Sequence, residues 1–141
     1  MPIRKAQAVW EGPLAGGKGT MALGSGAFQG KYSVGSRFES DPGTNPEELI
    51  GAAHAGCFSM AFSAILGKAG FTPKSIKTDA AVSIDKVGDG FSITKIELNT
   101  VADIPGIDAG IFSRLAAQAK EGCPVSRALA GVNIILNAKL A

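Results

Sequence analysis

The spacing of hydrophobic and polar positions divides the chain into short strands, one long helix, a hairpin, two further helices and a final strand. Near the start, Ala6, Ala8 and Trp10 alternate with their neighbours, and this period of two favours a strand. Glycines and prolines punctuate the segments that follow it. The pattern predicts strands over residues 3–10, 19–23 and 28–34, and a passage into a loop over residues 35–44.

The start of the long helix is the sharpest boundary in the sequence. Asn45 is a favourable N-cap residue, Pro46 suits the first helical position, and two glutamates complement the helix dipole. Glu48 lies three residues after Asn45, and Glu47 lies three residues after Thr44, so either register gives the spacing of a capping box. A helix is therefore predicted to begin at Pro46.

The body of this helix is apolar on every side. It is predicted to reach Lys68, with Gly70 as its stop and Pro73 beyond. Large apolar side chains are spread around its circumference, and small residues between them let neighbouring backbones approach closely. Those small residues are Gly51, Ala52, Ala53, Ala55, Gly56, Ser59, Ala61 and Ala64. The pattern indicates a central buried helix.

The second half of the chain completes the fold class. Two strands are predicted over residues 76–85 and 91–101, joined by a glycine-containing turn at 88–90. Ile93 and Ile96 are out of phase in the second strand, which predicts a β-bulge. Helices over 108–120 and 124–129 precede a strand over 132–140. This order defines an α+β fold, with helices packed on a mainly antiparallel sheet.

Composition excludes several classes of protein. The 141 residues, 45% of them hydrophobic and 18% charged, suit one domain spanning residues 1–141. The net charge is 14 minus 12, or +2, without a run of like charges, so nucleic acid is not an expected partner. No uninterrupted apolar run approaches the roughly 18 residues of a membrane span, and no secretory leader pattern is present. We therefore expect a cytoplasmic protein without a membrane partner.

The two cysteines are the first candidates for chemistry. Cys57 lies in the apolar helix and Cys123 lies just before Pro124, where a helix is predicted to start. Two cysteines leave three interpretations: buried fillers, a structural disulfide or redox chemistry. A reducing cytoplasm disfavours the structural disulfide. At the start of a helix, free amides and the helix dipole stabilise a thiolate, so we expect a lowered pKa for Cys123.

Three other residues complete the set of candidates. His54, the only histidine, lies three residues before Cys57, where it either polarises the thiol or serves as a core or interface histidine. One histidine and two cysteines at this spacing make a weak metal site, so no metal is expected. Arg37 and Glu47 are either surface charges or, if buried, a bidentate pair that favours the Cys57 thiolate.

Several segments resemble the OsmC/Ohr family of thiol-dependent peroxidases, in its OsmC branch (osmotically inducible protein C). They are TNPEELIGAAHAGCFSMAFS, YSVGSRFE, EGCPVSRAL and the start AQAVWEGPLAGGKGTMALGSGAF. The resemblance implies that Cys57 is the peroxidatic cysteine and Cys123 the resolving cysteine. It also implies that Arg37 is the activating arginine and Glu47 its carboxylate partner. His54 matches no catalytic position of that family.

The resemblance further implies an OsmC-like, intertwined homodimer with two active sites at the subunit interface. The expected substrate is an organic hydroperoxide, and the expected reductant is a small dithiol or a lipoyl protein. No cofactor is implied. The alternative from another class is a non-enzymatic dimer that binds an apolar ligand, with both cysteines as filler. A thiol titration before and after peroxide treatment separates the two hypotheses.

Overall fold

Two three-stranded sheets, one in each half of the chain, form the frame of the fold. The computed structural model describes residues 1–141, which divide into two compact units, residues 1–49 and residues 50–141. The predicted order of strands, long helix, hairpin, two helices and final strand is confirmed, with one short helix added near residue 34.

The sheet of the first unit is an antiparallel meander. Its strands are β1 (Ala6–Glu11), β2 (Lys18–Leu23) and β3 (Gln29–Tyr32), paired in that order. Most positions of β1 are exposed in the single chain, including Val9. A three-stranded sheet left open in this way has apolar surface still to be covered.

A short helix, α1 (Val34–Phe38), replaces part of the predicted passage into a loop. The Ser33 hydroxyl oxygen accepts the Ser36 backbone N–H at 3.1 Å, and the Ser36 hydroxyl oxygen accepts the Ser33 backbone N–H at 2.9 Å. This reciprocal capping box satisfies amides that a helix start leaves open. Five residues are too few to show a helical period, which is why the hydrophobic pattern missed the helix.

The long helix, α2, spans Pro46–Lys68, as predicted. The Asn45 Oδ1 accepts the Glu48 backbone N–H at 2.7 Å, so Asn45 rather than Thr44 is the capping residue. The Thr44 hydroxyl instead donates to the Glu48 carboxylate at 2.8 Å. Gly70 follows the helix with φ +89°, the left-handed conformation that ends many helices.

Two long strands, β4 (Ser75–Val87) and β5 (Gly90–Asp103), form the hairpin of the second unit. Gly88 in the connecting turn has φ +61°, as a tight hairpin requires. The antiparallel register shifts between Ser83 and Ile84, which confirms the predicted β-bulge.

The last strand makes the second sheet mixed rather than antiparallel throughout. After β5, the helices α3 (Ala109–Gly122) and α4 (Pro124–Ala128) lead to β6 (Asn133–Leu140), which pairs with β5 in parallel. A parallel neighbour needs a crossover connection, which the two helices supply. The alternation in residues 132–140 predicts the strand but carries no information on its direction.

The core of the second unit forms where one face of α2 meets α3 and β5. Phe58, Phe62 and Leu66 of α2 are fully buried, together with Leu98 of β5 and Phe112 of α3. The ring of Phe62 lies 5.7 Å from the ring of Phe58 and 5.7 Å from that of Phe112, in tilted contacts that favour aromatic pairs. This packing holds the middle of α2 in a defined position.

The opposite face of α2 is exposed in the single chain. Met60 retains 77% of its accessible surface, and the residues beside it are small. The exposed positions of this face are Ala52, Ala53, Gly56, Met60, Ser63 and Ala64. One chain therefore covers only one side of an apolar helix.

By length and composition alone, α2 also meets the requirements of a membrane-spanning helix. Such a helix is weak evidence for a membrane, because the core helix of a globular protein has the same properties. The buried face formed by Phe58, Phe62 and Leu66 explains the apolar residues on one side of α2 through core packing.

Candidate active site

The two cysteines meet although they are far apart in sequence. Cys57 lies half-buried in the middle of α2, and Cys123 lies fully buried between the end of α3 and the start of α4. Both are free thiols, and they lie close enough for each to shift the pKa of the other. Core packing of α2 against α3 brings them together, which no local motif encodes.

The surroundings of the two cysteines shift their pKa values in opposite directions. Burial raises the pKa of Cys57, and the hydrogen bond that it donates to Cys123 raises it further, against the effect of the Val125 backbone amide. For Cys123, burial also acts to raise the pKa, but the Cys57 thiol and the amide and hydroxyl of Ser126 outweigh it, so its pKa is lowered. Of the two cysteines, Cys123 is therefore the one whose surroundings favour the thiolate.

The start of α4 contributes to this lowered pKa, in the direction expected from its sequence. Pro124 occupies the first helical position, and the backbone amides of Val125 and Ser126 act on the Cys123 sulfur. They act as dipoles near the sulfur, because α4 has no hydrogen bond from a capping side chain. A thiolate at this place is thus stabilised by the helix start.

Arg37 and Glu47 form the expected bidentate pair within the first unit. The Arg37 Nη2 lies 2.6 Å from Glu47 Oε1, and Nε lies 3.1 Å and 3.2 Å from the two carboxylate oxygens. Glu47 is buried, whereas the Arg37 side chain is 37% exposed and its guanidinium lies 5.3 Å from the centre of the Phe38 ring. The carboxylate fixes the orientation of the cation, as a bidentate contact does.

His54 is buried completely, in agreement with its interpretation as a core histidine. Its Nε2 lies 2.7 Å from the Ser126 Oγ of α4, while its Nδ1 is buried without a hydrogen-bond partner. Burial lowers the pKa of His54, so the ring is neutral at neutral pH. The ring thus connects α2 to the helix that follows Cys123.

Ser126 is the residue near the cysteines that the sequence reasoning missed. It is buried, it lies against His54, and both its hydroxyl and its amide act on Cys123. One signal was available: Ser126 lies three residues after Cys123 in the segment CPVS. Once Cys123 is placed before a helix, the residue three positions later has its amide at the helix start.

The side chains that commonly bind metal ions do not cluster in this structure. No group of three or more His, Cys, Asp or Glu side chains lies close enough together to hold a metal ion. A structural or catalytic zinc site needs at least three such protein ligands.

Two free thiols that interact with each other, one of them with a lowered pKa, are typical of thiol-based redox proteins. A family model described as "OsmC-like protein" matches residues 38–137 of the chain. Peroxiredoxin OsmC of Escherichia coli (strain K12) is 58% identical over 127 residues, which cover 89% of each chain. The chain therefore belongs to the OsmC family.

Two further relatives extend this result. The organic hydroperoxide resistance protein of Xanthomonas axonopodis pv. citri (strain 306) is 35% identical over 90 residues, 63% of this chain and 61% of that protein. A solved structure of an OsmC-like protein of unknown function from Vibrio cholerae has a TM-score of 0.78 at 18% identity, covering 98% of this chain and 99% of that one. The latter match shows the OsmC-like fold.

Proposed function

We propose that this chain is a thiol-dependent peroxidase that reduces organic hydroperoxides to alcohols, with Cys57 as the peroxidatic and Cys123 as the resolving cysteine. The observation that carries the proposal is the pair of free thiols that lie close enough to shift each other's pKa. The printed names of the relatives, a peroxiredoxin and an organic hydroperoxide resistance protein, support the same class. Such a role belongs to defence against oxidative stress.

The first step oxidises Cys57. Its thiolate attacks the terminal oxygen of the hydroperoxide, so that an S–O bond forms and the O–O bond breaks. The alkoxide leaves, takes up a proton and becomes the alcohol, and Cys57 becomes a sulfenic acid. Cys57 packs against the apolar core, which favours a substrate with an alkyl group over hydrogen peroxide.

The second step closes a disulfide. The Cys123 thiolate attacks the sulfur of oxidised Cys57, the S–S bond forms, and the S–O bond breaks. Hydroxide leaves and takes up a proton to become water. The lowered pKa of Cys123 supports this role, because it increases the fraction of Cys123 present as the attacking thiolate.

The third step restores the two thiols. An external dithiol attacks the disulfide by thiol–disulfide exchange and leaves oxidised, so two electrons pass from the dithiol to the peroxide in each turnover. A small dithiol or a lipoyl protein has the required chemistry.

Arg37 is the activating cation in this proposal, and Glu47 is the residue that positions it. In the reduced pair, the raised pKa of Cys57 works against its thiolate, so the peroxide step needs a nearby positive charge. The bidentate Arg37–Glu47 contact provides a cation of fixed orientation.

The working unit in this proposal is a cytoplasmic homodimer in which residues 1–141 act as one domain. Two apolar surfaces of the single chain support a partner: the face of α2 around Met60, and the open sheet of the first unit, where Val9 and Leu23 are 43% and 41% exposed. Surfaces of this kind are normally covered by an interface. A second copy of the chain provides matching small residues along α2.

Peroxide consumption with cumene hydroperoxide and dithiothreitol tests the proposal. Wild-type protein is expected to turn over and Cys57→Ser to be inactive. In addition, one equivalent of peroxide should remove both thiols of the wild type as an intramolecular disulfide. Unchanged thiols and no consumption by the wild type would contradict a peroxidase and support a binding protein. Faster reduction of hydrogen peroxide than of cumene hydroperoxide would contradict the organic substrate class.

A further inference from the structure

A chain of polar contacts runs from the interior of α2 to the Cys123 sulfur. His54 Nε2 lies 2.7 Å from Ser126 Oγ, and the Ser126 hydroxyl in turn acts on the Cys123 sulfur so as to favour its thiolate. His54, Ser126 and Cys123 are all buried, so water does not compete for these contacts. The peroxidase mechanism described above gives His54 no role.

The single proton of the Ser126 hydroxyl decides which atoms donate in the contacts from His54 to Cys123. A hydroxyl that stabilises a thiolate donates its proton to the sulfur, so its oxygen accepts from the other neighbour. The other neighbour is His54, which must therefore carry its proton on Nε2. The Nδ1 then holds only a lone pair, which accords with its lack of a partner, because buried acceptors are left unpaired more readily than buried N–H groups.

We propose that His54 is a positioning residue for the resolving cysteine: its Nε2–H donates to Ser126, which donates to the Cys123 sulfur. The chain holds Cys123 as an oriented thiolate, ready to attack oxidised Cys57, and the proposal thus rests on the peroxidase function proposed above. His54 itself remains neutral throughout. No proton is transferred to it, since burial disfavours its charged form.

No charged side chain near the Cys123 sulfur replaces the hydrogen bonds that run from His54 through Ser126. The groups that act on Cys123 are Cys57 from α2 and Val125 and Ser126 from α4. At the end of α3, Lys120 and Glu121 pair with each other at 3.7 Å. Arg127 of α4 is exposed. No lysine, arginine or carboxylate side chain is among the groups that set the charge of Cys123.

The test measures the thiolate of Cys123 directly, without peroxide. In the Cys57→Ser background, Cys123 is the single thiol, and its ionisation is followed by ultraviolet absorbance as a function of pH. We expect Ser126→Ala and His54→Leu to raise the midpoint and to lower the thiolate fraction at a given pH below it by about tenfold, the size of one hydrogen bond to a charged group. His54→Gln, whose amide nitrogen replaces the Nε2–H donor, should stay close to the parent.

Ser59→Ala is the matched control. It removes a hydroxyl of α2 that contacts the Thr78 hydroxyl at 2.8 Å and takes no part in the contacts from His54 to Cys123. The midpoint of the Cys123 titration should therefore not move. An unmoved midpoint in Ser126→Ala would overturn the proposal, and this small substitution remains informative if His54→Leu does not fold. Equal midpoints in His54→Gln and His54→Leu would also overturn it, since one retains the donor and the other removes it.

A kinetic measurement separates this proposal from the peroxidase function on which it rests. In protein with both cysteines, His54→Leu should not slow the formation of sulfenic acid at Cys57 but should slow disulfide closure about tenfold, in proportion to the loss of Cys123 thiolate. Absence of sulfenic acid after peroxide treatment of Cys123→Ser, in which no resolving thiol removes it, would refute the peroxidase itself. A wild-type rate of closure in His54→Leu would refute the role of His54 alone.

Discussion

Glu47 fixes the Arg37 guanidinium from within the protein: the carboxylate is buried, while the Arg37 side chain is partly exposed. Nη2 and Nε of the arginine both contact the carboxylate, at distances of 2.6–3.2 Å. A single contact would leave the guanidinium free to rotate, whereas two contacts define its plane. The pair therefore presents a cation with a fixed orientation and an accessible edge.

The first prediction concerns this cation. Arg37→Ala should slow the oxidation of Cys57 by about 100- to 1,000-fold, the usual effect of removing one preorganised hydrogen-bond donor. Arg37→Lys keeps the charge but not the bidentate geometry, so its rate should lie between those of the wild type and Arg37→Ala. The rate is measured by peroxide consumption at limiting peroxide, with Arg4→Ala as a control on an exposed arginine. Wild-type kinetics in Arg37→Ala would exclude Arg37 from the active site.

The second prediction concerns the cap of α2. Asn45 makes two contacts: its Oδ1 accepts the Glu48 amide at 2.7 Å, and its Nδ2 donates to the Ser36 carbonyl at 3.1 Å. Asn45→Ala removes both and should lower the free energy of unfolding by about 1–2 kcal/mol. Asn45→Asp keeps the cap but loses the donor, so it should be less destabilising. Chemical denaturation measures both, and equal losses would show that the cap contributes nothing.

The parts of the fold that the sequence predicted have local causes. Asn45 and Pro46 mark the start of α2, and the phase change between Ile93 and Ile96 marks the bulge opposite β4. Each signal depends on a few adjacent residues, because capping and alternation act within a turn or a strand. Helix α1 was missed for the opposite reason, since five residues do not complete a hydrophobic period.

The parts of the fold and the site that the sequence did not predict depend on contacts between distant segments. His54 and Ser126 are 72 residues apart, and only the packing of α2 near α4 brings them to hydrogen-bond distance. The parallel pairing of β6 with β5 likewise depends on how α3 and α4 cross over the sheet. The partner of a buried hydroxyl and the direction of a strand are tertiary properties, which alternation of residues does not specify.

The third prediction concerns the exposed face of α2. Met60→Glu places a charge in the centre of the proposed dimer interface and should convert the dimer into monomers, as measured by analytical ultracentrifugation. Val87→Glu is the matched control, because it changes another exposed apolar residue at the tip of the hairpin. A dimer that tolerates Met60→Glu would move the interface away from this face.

On the buried face of α2, Phe62→Ala empties part of the core and should lower the free energy of unfolding by about 3–5 kcal/mol.

The fourth prediction is a loss of stability of the reduced protein at alkaline pH. The pKa of Cys57 is raised by burial, so its contribution to stability is complete below the ordinary thiol value of about 8.5 and is lost as the pH rises through the raised value. Cys123 has a lowered pKa, so its contribution is present above the ordinary value and is lost as the pH falls through the lowered value. Stability above about pH 8.5 should therefore fall more steeply in the wild type than in Cys57→Ala. Urea denaturation under reducing conditions measures both slopes, and parallel curves would contradict the assignment.

The fifth prediction follows from the hydrogen bond between the two thiols. Cys123→Ala removes both the acceptor of the Cys57 proton and the nearby negative charge, two of the causes that raise the pKa of Cys57. Burial remains, so the pKa of Cys57 should move down towards its ordinary value without the help of any new group. Because the thiolate is the nucleophile, iodoacetamide should then label Cys57 several-fold faster at neutral pH in Cys123→Ala than in the reduced wild type. Ser59→Ala, two residues along α2 from Cys57, should label at the wild-type rate. Slower labelling in Cys123→Ala would mean that Cys123 promotes rather than opposes the Cys57 thiolate, and the proton of the reduced pair would have to be assigned to Cys123.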